Sequence, residues 1–331
     1  MSSTPRRPHR PGSGPGSRAG SRAASRTSSG PGPASAPRAK DGPRVGQDLH
    51  VGARNARFQQ WHALLDNRTK RNHQGEFLVH GVRPISLAVE HGWPLSALLR
   101  PAAGRSVEAA ATSEWARRIT ERIRAEQPDV QHVAMDPELL RELGEKSDDL
   151  PELLAVARIP PDRMDRIDVG ADGLVVVFDR PANPGNIGTL VRSADAFGAR
   201  GVLVTGHAAD VYDPKAVRAS TGSLFALPTV RAAAPRDVLA WVADLRAAGV
   251  PMQVVGTDEA GTEDVDQVDL TGPTLLVVGN ETRGMSAGWR EACDIVARIP
   301  AGGAASSLNA AVAGTVVLYE AGRQRRSGHP R

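Results

Sequence analysis

The sequence Ile299-Pro-Ala-Gly-Gly-Ala-Ala-Ser-Ser-Leu-Asn309 runs directly into Ala310-Ala-Val-Ala-Gly-Thr-Val-Val-Leu-Tyr-Glu320 near the C-terminus. Its proline ends the preceding β-rich run, because proline cannot donate to a strand ladder. The Gly-Gly pair lets the backbone approach another group closely, and either serine can cap the helix that follows. Polar side chains beside free backbone N–H groups form a ready binding site. The same residues fit an ordinary capped helix after a turn equally well, so other segments must distinguish the two.

Residues 1–46 differ in composition from the rest of the 331-residue chain, being rich in Ser, Gly, Pro and Arg. Such a segment cannot bury enough apolar surface to offset its ordering entropy, so we expect it to be disordered. The segment carries eight more cations than acids, which exceeds the net charge of +4 of the whole chain. This positive charge either attracts a polyanion or only keeps the chain soluble. Its charged residues are Arg6, Arg7, Arg10, Arg18, Arg22, Arg26, Arg38, Lys40 and Arg44 against the single acid Asp41.

The sequence contains no apolar run suitable for a signal peptide or a membrane span. The start of the chain is too rich in Pro and Gly to form the amphipathic helix of an organellar transit peptide. The single Cys293 excludes a disulfide framework and favours a reducing compartment. We therefore expect a cytoplasmic protein that makes no contact with a membrane.

Residues 50–158 are predicted to form a small α/β domain, in which short strands alternate with helices. A basic cluster of Arg68, Lys70 and Arg71 either holds phosphate groups or forms a solvated turn. Residues 159–166 indicate a linker, since they combine paired prolines and charges without any periodicity.

Residues 167–325 are predicted to form a second domain, followed by a short basic tail at 326–331. The run Leu174-Val-Val-Val-Phe178 is continuously apolar, which is typical of a strand buried on both faces. This run is followed by a turn and by a helix predicted over 189–197. Similar apolar runs recur along the domain, each before a turn and a helix. The pattern predicts a parallel sheet with helices on both faces and a ligand crevice at the C-terminal ends of its strands.

The residues of this crevice exclude several common chemistries. The loop that follows the run Leu174–Phe178 is not Gly-x-Gly-x-x-Gly, so dinucleotide binding is not indicated. No Gly-Lys-Ser/Thr follows a strand, so a P-loop is not indicated either. The scattered histidines and the single cysteine provide no metal-ligand set. A crevice of backbone groups remains, with Asn186, Arg192, Glu281, Ser307 and Asn309 around it.

Three motifs carry a family resemblance. Asn183-Pro-Gly-Asn-Ile-Gly-Thr-Leu-Val-Arg192-Ser-Ala-Asp-Ala-Phe-Gly-Ala resembles the first motif of the SpoU/TrmH branch of the SPOUT RNA methyltransferases. Val278-Gly-Asn-Glu281-Thr-Arg-Gly284-Met-Ser resembles the second, and residues 299–309 resemble the third. The first domain resembles the L30e-like substrate-binding module of this branch. The chain departs from the family pattern at His80, where an acidic residue is usual, and at Ala301, which replaces a methionine of the third motif.

The resemblance implies transfer of a methyl group from S-adenosylmethionine to a ribose 2′-hydroxyl, without a metal. It also implies a deep trefoil knot, a fold that physical reasoning alone would exclude. Arg192 would be the catalytic residue, supported by Asn186, Glu281, Ser307 and Asn309. The implied cofactor-binding residues are Thr205, Gly206, Gly279, Asn280, Ile299, Ser307 and Leu308. We expect RNA contacts from Arg54, Arg68, Lys70, Arg71, Lys215 and Arg218.

We expect the substrate to be 23S rRNA, with tRNA as the second choice. Two alternatives stay open at this point. One is a catalytically silent RNA-binding protein of the same fold, and the other is a methyltransferase that protects the ribosome from an antibiotic.

Family members are homodimers, and residues 310–318 are consistent with an interface. A helix that is apolar on nearly every side must be covered on more than one face. The small residues Ala313 and Gly314 would permit close approach across a two-fold axis. Coverage by another part of the same chain is the alternative.

Overall fold

The computed structural model of the protein describes residues 48–102, 112–145, 149–303 and 307–327. The predicted basic tail, 1–46, lies outside the described residues, as do residues 328–331 of the predicted C-terminal tail. Within the described part of the chain, every helix is too short or too polar to cross a membrane.

The first domain is built on a five-stranded mixed sheet with the strand order β1-β4-β3-β5-β2. β3 pairs in parallel with β4, and β5 runs antiparallel to both β3 and β2. The strands are β1 (Leu49–Val51), β2 (Glu76–His80), β3 (Leu95–Pro101), β4 (Gln131–Met135) and β5 (Leu154–Arg158).

Five helices cover both faces of this sheet: α1 (Ala56–Asp66), α2 (Arg68–Gln74), α3 (Val82–Glu90), α4 (Glu114–Glu126) and α5 (Pro137–Gly144). Side chains of β2 alternate between the two faces, so that Phe77 packs with α3 and α4 while Leu78 packs with α1 and α5. Asn55 caps α1, and Asn67 separates α1 from α2 by accepting a hydrogen bond from the backbone of Lys70. The predicted α/β domain is present, but the sequence pattern missed β1, α2, α5 and β5. β5 is buried along almost its whole length and therefore lacks the alternation that marks a half-buried strand.

The second domain is built on a seven-stranded sheet with the order β10-β12-β9-β11-β6-β7-β8, in which all pairs are parallel. β6 lies inside the sheet and all of its residues are buried, as the continuous apolar run predicted. The strands are β6 (Leu174–Asp179), β7 (Gly201–Thr205), β8 (Thr229–Ala232), β9 (Gln253–Thr257), β10 (Glu263–Asp264), β11 (Thr274–Val278) and β12 (Ile295–Arg298).

Helices cover both faces of this sheet as well, as predicted. One face carries α6 (Pro184–Ala196), α7 (Pro214–Ala219), α8 (Ser223–Ala226) and α11 (Ala310–Ser327); the other carries α9 (Pro235–Ala247) and α10 (Ala287–Ala292). α6 begins at Pro184, five residues before the predicted start at Thr189. The prediction was wrong because Pro184 is favoured in the first helical turn and Asn183 caps it through the backbone of Gly185. Asn186 therefore lies on the helix rather than in the loop.

The two domains share one apolar core. Phe77 of the first domain contacts Tyr212 and Phe225 of the second, and Trp93 contacts Phe225, with ring centroids 4.8 to 6.2 Å apart. The indole N–H of Trp93 also donates to the carbonyl oxygen of Phe225 at 2.9 Å. Between the domains, residues 159–166 include a short 3-10 helix, Met164–Arg166. Because aromatic side chains bury large areas, this contact joins the domains into one packed body.

Candidate active site

A cleft with a volume of about 740 Å³ lies at the C-terminal ends of β9, β11 and β12. It is the crevice that the parallel sheet predicted. Five of the predicted cofactor-binding residues line it, namely Gly279, Asn280, Ile299, Ser307 and Leu308. The other lining residues include Asp258 and Glu259 after β9, and Ala310 and Ala313 at the start of α11.

The loop after β11 forms one wall of the cleft and is folded tightly on itself. Asn280 and Gly284 exchange two backbone hydrogen bonds of 3.0 Å. A Cβ atom on Gly279 would lie 2.5 Å from the backbone of Gly284 and Met285, which is closer than atoms can approach. Glycine is therefore required here for the loop to close, and the wall it forms is largely backbone.

A chain of hydrogen bonds connects the three sequence motifs at the edge of this cleft. The side-chain amide of Asn309 donates to Oδ1 of Asn186 at 3.3 Å. The amide of Asn186 in turn donates to Oε1 of Glu281 at 2.9 Å. Asn309 also caps α11, since its Oδ1 accepts from the backbone N–H groups of Ala311 and Val312. Residues that are far apart in sequence thus meet at one point, where α6, the loop after β11 and α11 begin.

Glu281 is held as a carboxylate beside the start of α6. Its two oxygens accept from the backbone N–H groups of Ala182 and Asn183, at 3.0 and 3.3 Å, and from the amide of Asn186. Burial alone would raise the pKa of Glu281, but these hydrogen bonds outweigh it and hold the pKa below its ordinary value. A carboxylate near a helix N-terminus is also favoured by the helix dipole. Glu281 therefore fixes the orientation of Asn186.

Arg192 lies on α6 with an exposed side chain. Within the described ranges it makes no hydrogen bond or ion pair, and it does not line the cleft. The helix that carries it is fixed, because Ser193 and Thr315 are hydrogen-bonded at 2.7 Å between α6 and α11. A Cβ on Gly314 would lie 2.7 Å from Leu190, so α11 packs closely on α6 of the same chain. This corrects the expected role of Gly314, which serves contact within the chain rather than across a two-fold axis.

Thr205 and Gly206 do not line the cleft. The Thr205 side chain is fully buried, and its hydroxyl donates to Asp179 at 3.1 Å. A ligand in the cleft therefore cannot contact this side chain, whereas the predicted approach of a cofactor to the loop at Thr205 and Gly206 stays a prediction. Gly206 has φ +69°, and a Cβ there would lie 2.8 Å from the Arg180 side chain. Thr205 and Gly206 therefore lie behind the cleft, next to Asp179 and Arg180.

The six predicted RNA contacts occupy different environments. Arg71 is only 1% exposed, so it cannot reach a phosphate, and this prediction is wrong. Its guanidinium pairs with Asp210 at 2.7 Å and donates to the carbonyl oxygens of Leu64 and Leu65. The remaining five are exposed. Lys70 and Lys215 extend freely, whereas Arg54 pairs with Glu142, Arg218 with Glu145, and Arg68 donates to the carbonyl oxygen of Ala208.

Sequence reasoning missed Asp258 and Glu259, which follow β9 and line the cleft. The available signal was their place directly after a buried strand, at the same edge as the loops after β11 and β12. Arg290 pairs with Asp258 at 2.9 Å, while Glu259 is exposed. Among the residues with described positions, no group of three or more His, Cys, Asp or Glu is arranged to hold a metal ion.

Two family models match the chain, one on each domain. The SpoU rRNA Methylase family matches residues 173–319, and the SpoU L30e-like domain matches residues 55–155. Together they cover the two domains that share the apolar core.

Known proteins with similar sequences and structures agree with these matches. A 23S rRNA (uridine(2479)-2′-O)-methyltransferase of Streptomyces viridochromogenes is 56% identical over 287 residues, which is 87% of this chain and 96% of that protein. The crystal structure of the SpoU methyltransferase AviRb from the same organism, in complex with the cofactor AdoMet (S-adenosylmethionine), matches with a TM-score of 0.76 and 57% identity. The match covers 83% of this chain and 100% of the AviRb chain.

A second cofactor complex is more distant in sequence. The AdoMet-bound rRNA methyltransferase from Sinorhizobium meliloti matches with a TM-score of 0.73 and 26% identity, over 86% of this chain and 100% of that chain. The fold, the three connected motifs and these similarities agree, and the chain belongs to the SpoU rRNA methylase family.

Proposed function

We propose that this protein methylates the ribose 2′-hydroxyl of a uridine in 23S rRNA, using S-adenosylmethionine, in the cytoplasm. The hydrogen-bonded chain from Asn309 through Asn186 to Glu281 carries the proposal, because it unites all three family motifs beside the cleft. The choice of rRNA and of uridine rests on the named activity of the 56% identical relative.

The cleft fits S-adenosylmethionine in size and charge. Its volume of about 740 Å³ lies within the range of about 300–1,000 Å³ typical of small-molecule sites. The backbone wall at Gly279 gives adenine a slot that a larger side chain would fill. Glu259 and Glu281 supply negative charge for the cationic parts of the cofactor, while Asp258 is paired with Arg290, and Arg283 is a partner for the cofactor's carboxylate. When bound, the cofactor supplies a methyl group that its sulfonium has already activated.

The protein's contribution to the reaction is alignment and charge stabilisation. Glu281 and Asn309 hold the side chain of Asn186 from both sides, so its position is set before RNA arrives. Arginine stays protonated in proteins and suits bidentate phosphate binding, so Arg192 is assigned to the phosphate next to the target ribose. From there its charge stabilises the alkoxide that develops as the hydroxyl loses its proton.

The RNA-binding surface is proposed to include Lys70 on α2 and Lys215 on α7. Both are exposed, and the segments that carry them meet at the junction between the domains, where Arg71 reaches Asp213 before α7. Such cations bind the phosphate backbone without reading sequence. Arg54, Arg68 and Arg218 are assigned to the same surface, and each would exchange its present contact for a phosphate.

Methyl transfer to defined RNAs tests this function. Full-length 23S rRNA, fragments of it and tRNA would be incubated with labelled S-adenosylmethionine, and the methylated nucleotide mapped by primer extension at low nucleotide concentration. We expect one 2′-O-methyluridine in 23S rRNA. Methylation of tRNA alone would contradict the assignment of 23S rRNA as the substrate. Cofactor binding without transfer to any RNA would favour a catalytically silent RNA-binding protein.

The enzyme is further proposed to act as a homodimer through α11. Leu308, Val312 and Tyr319 are 44%, 46% and 53% exposed, although all are large and apolar. Val312 and Tyr319 are seven residues apart and thus share one face of the helix, with the half-buried Val316 between them. A second copy of the same stripe is the proposed cover, because a two-fold interface must complement itself. Leu308 and Ala313 place this stripe directly beside the cleft.

Replacing Val312 with glutamate is expected to yield monomers, because it places charge in the centre of the proposed interface. Folding should persist, since nearly half of the Val312 side chain is exposed within one chain. Sedimentation velocity at micromolar concentration measures the outcome. Val82→Glu, at an apolar residue that is 57% exposed in the first domain, is the matched control and should leave the dimer intact. A monomeric wild-type protein at that concentration would exclude this assembly.

A further inference from the structure

Arg180, the first residue after β6, has an unusual backbone conformation. Its φ is +51°, and among the described non-glycine residues only Glu145 and Thr221 also have a positive φ. The left-handed region is unfavourable for a residue with a Cβ, whereas glycine adopts it readily. A strained arginine in a position that glycine would fill without strain points to a role for its side chain.

Arg180 connects the end of β6 to the loop after β11, behind the cleft. Its Nε donates to Oδ2 of Asp179 and its Nη2 to the carbonyl oxygen of Gly284, both at 3.1 Å. Its own carbonyl oxygen accepts from the side-chain amide of Asn280 at 2.6 Å. Gly284 and Asn280 are the two ends of the tight loop that forms the wall of the cleft. One residue thus holds both ends of this loop.

Asp179 links Arg180 to Ser286, which follows the loop after β11. It is 1% exposed, and its carboxylate accepts from the hydroxyl of Thr205 at 3.1 Å and from the backbone N–H of Ser286 at 2.8 Å. Gly206 leaves the space that the Arg180 side chain occupies, since a Cβ there would lie 2.8 Å from Arg180 Cγ. The surroundings are therefore shaped around the Arg180 side chain, which is 28% exposed and pairs with Asp179.

We propose that Arg180 is a positioning residue, which holds residues 279–284 in the conformation that receives S-adenosylmethionine. It does not line the cleft, so it acts through Asn280 and Gly284 rather than by contact with the cofactor. The same clamp sets Glu281, which lies between those two residues and orients Asn186. The inference rests on the proposed cofactor site and is independent of which RNA is methylated.

Arg180→Gly separates this role from a general contribution to folding. Glycine accepts the positive φ, and Thr205 and Ser286 still donate to the buried carboxylate of Asp179 when its cation is removed. We therefore expect the variant to fold, with the midpoint of thermal unfolding without cofactor lowered by the loss of the ion pair and raised in part by the relief of strain. The dissociation constant for S-adenosylmethionine, measured by calorimetry on the full chain, should increase at least about tenfold, because binding must first order the loosened loop. The affinity for a 23S rRNA fragment should not change.

Two further variants sharpen this test. Thr221→Gly relieves the same kind of backbone strain without removing a guanidinium, and should bind the cofactor like the wild type. Arg180→Lys keeps the charge next to Asp179 but cannot donate along two fixed directions, so its affinity should be intermediate. A wild-type dissociation constant in Arg180→Gly would overturn the proposal.

Hydrogen exchange provides a second, independent readout. The amides of Gly284 and Ser286 should exchange faster in Arg180→Gly, since the first pairs with Asn280 and the second donates to Asp179. Unchanged protection at both amides would also overturn the proposal. If the wild-type protein does not bind S-adenosylmethionine at all, the proposed cofactor site itself fails, and calorimetry distinguishes that result from a failure of the positioning role.

Discussion

Replacement of Arg192 by alanine is expected to lower kcat for methyl transfer by about 10²–10³-fold, the loss typical when one preorganised charge-stabilising group is removed. The dissociation constant for S-adenosylmethionine should stay close to that of the wild type, because Arg192 does not line the cleft. Folding should be intact, since the side chain is exposed. Single-turnover kinetics on 23S rRNA, with calorimetry of cofactor binding, measure both quantities.

Two variants control this experiment. Arg236→Ala removes another exposed helix arginine, whose side chain is 85% accessible, and should leave kcat unchanged. Arg192→Lys keeps the charge but loses the planar fork, so it should recover only part of the rate. Wild-type kcat in Arg192→Ala would contradict the catalytic assignment.

Replacement of Arg71 by alanine is expected to destabilise the protein by about 3–5 kcal/mol, the cost typical of removing one partner from a buried ion pair. Asp210, itself only 6% exposed, would be left as a buried charge without its cation. The carbonyl oxygens of Leu64 and Leu65 would lose their donor as well. Denaturant unfolding followed by circular dichroism measures the change in the free energy of unfolding.

The exposed pair between Arg122 and Glu126 provides the comparison. Its side chains are 43% and 49% exposed, so Arg122→Ala should cost no more than about 0.5 kcal/mol. If Arg71→Ala unfolds at the same denaturant concentration as Arg122→Ala, the buried pair between Arg71 and Asp210 does not contribute the expected stability.

The sequence alone determined the family, the fold class and the chemistry. The comparisons confirm the SpoU family and the L30e-like first domain. The similar proteins that they name include a 23S rRNA 2′-O-methyltransferase and a methyltransferase in complex with AdoMet, which agrees with the proposed reaction and cofactor. Continuous apolar runs predicted the buried parallel strands, because a strand covered on both faces needs apolar residues at every position. The trefoil knot, the dimer and the roles of individual site residues stay predictions.

Only the tertiary structure decided which polar residues face the cleft and which lie behind it. Composition grouped Arg71 with Arg68 and Lys70, but the helix turns Arg71 inward onto Asp210, a residue 139 positions away. Thr205 shares the strand edge with the cleft, yet its hydroxyl points to Asp179. Gly206 gave no sign in sequence that it makes room for Arg180. Local patterns report burial and secondary structure, whereas the partner of a side chain is fixed by segments that meet only in the folded chain.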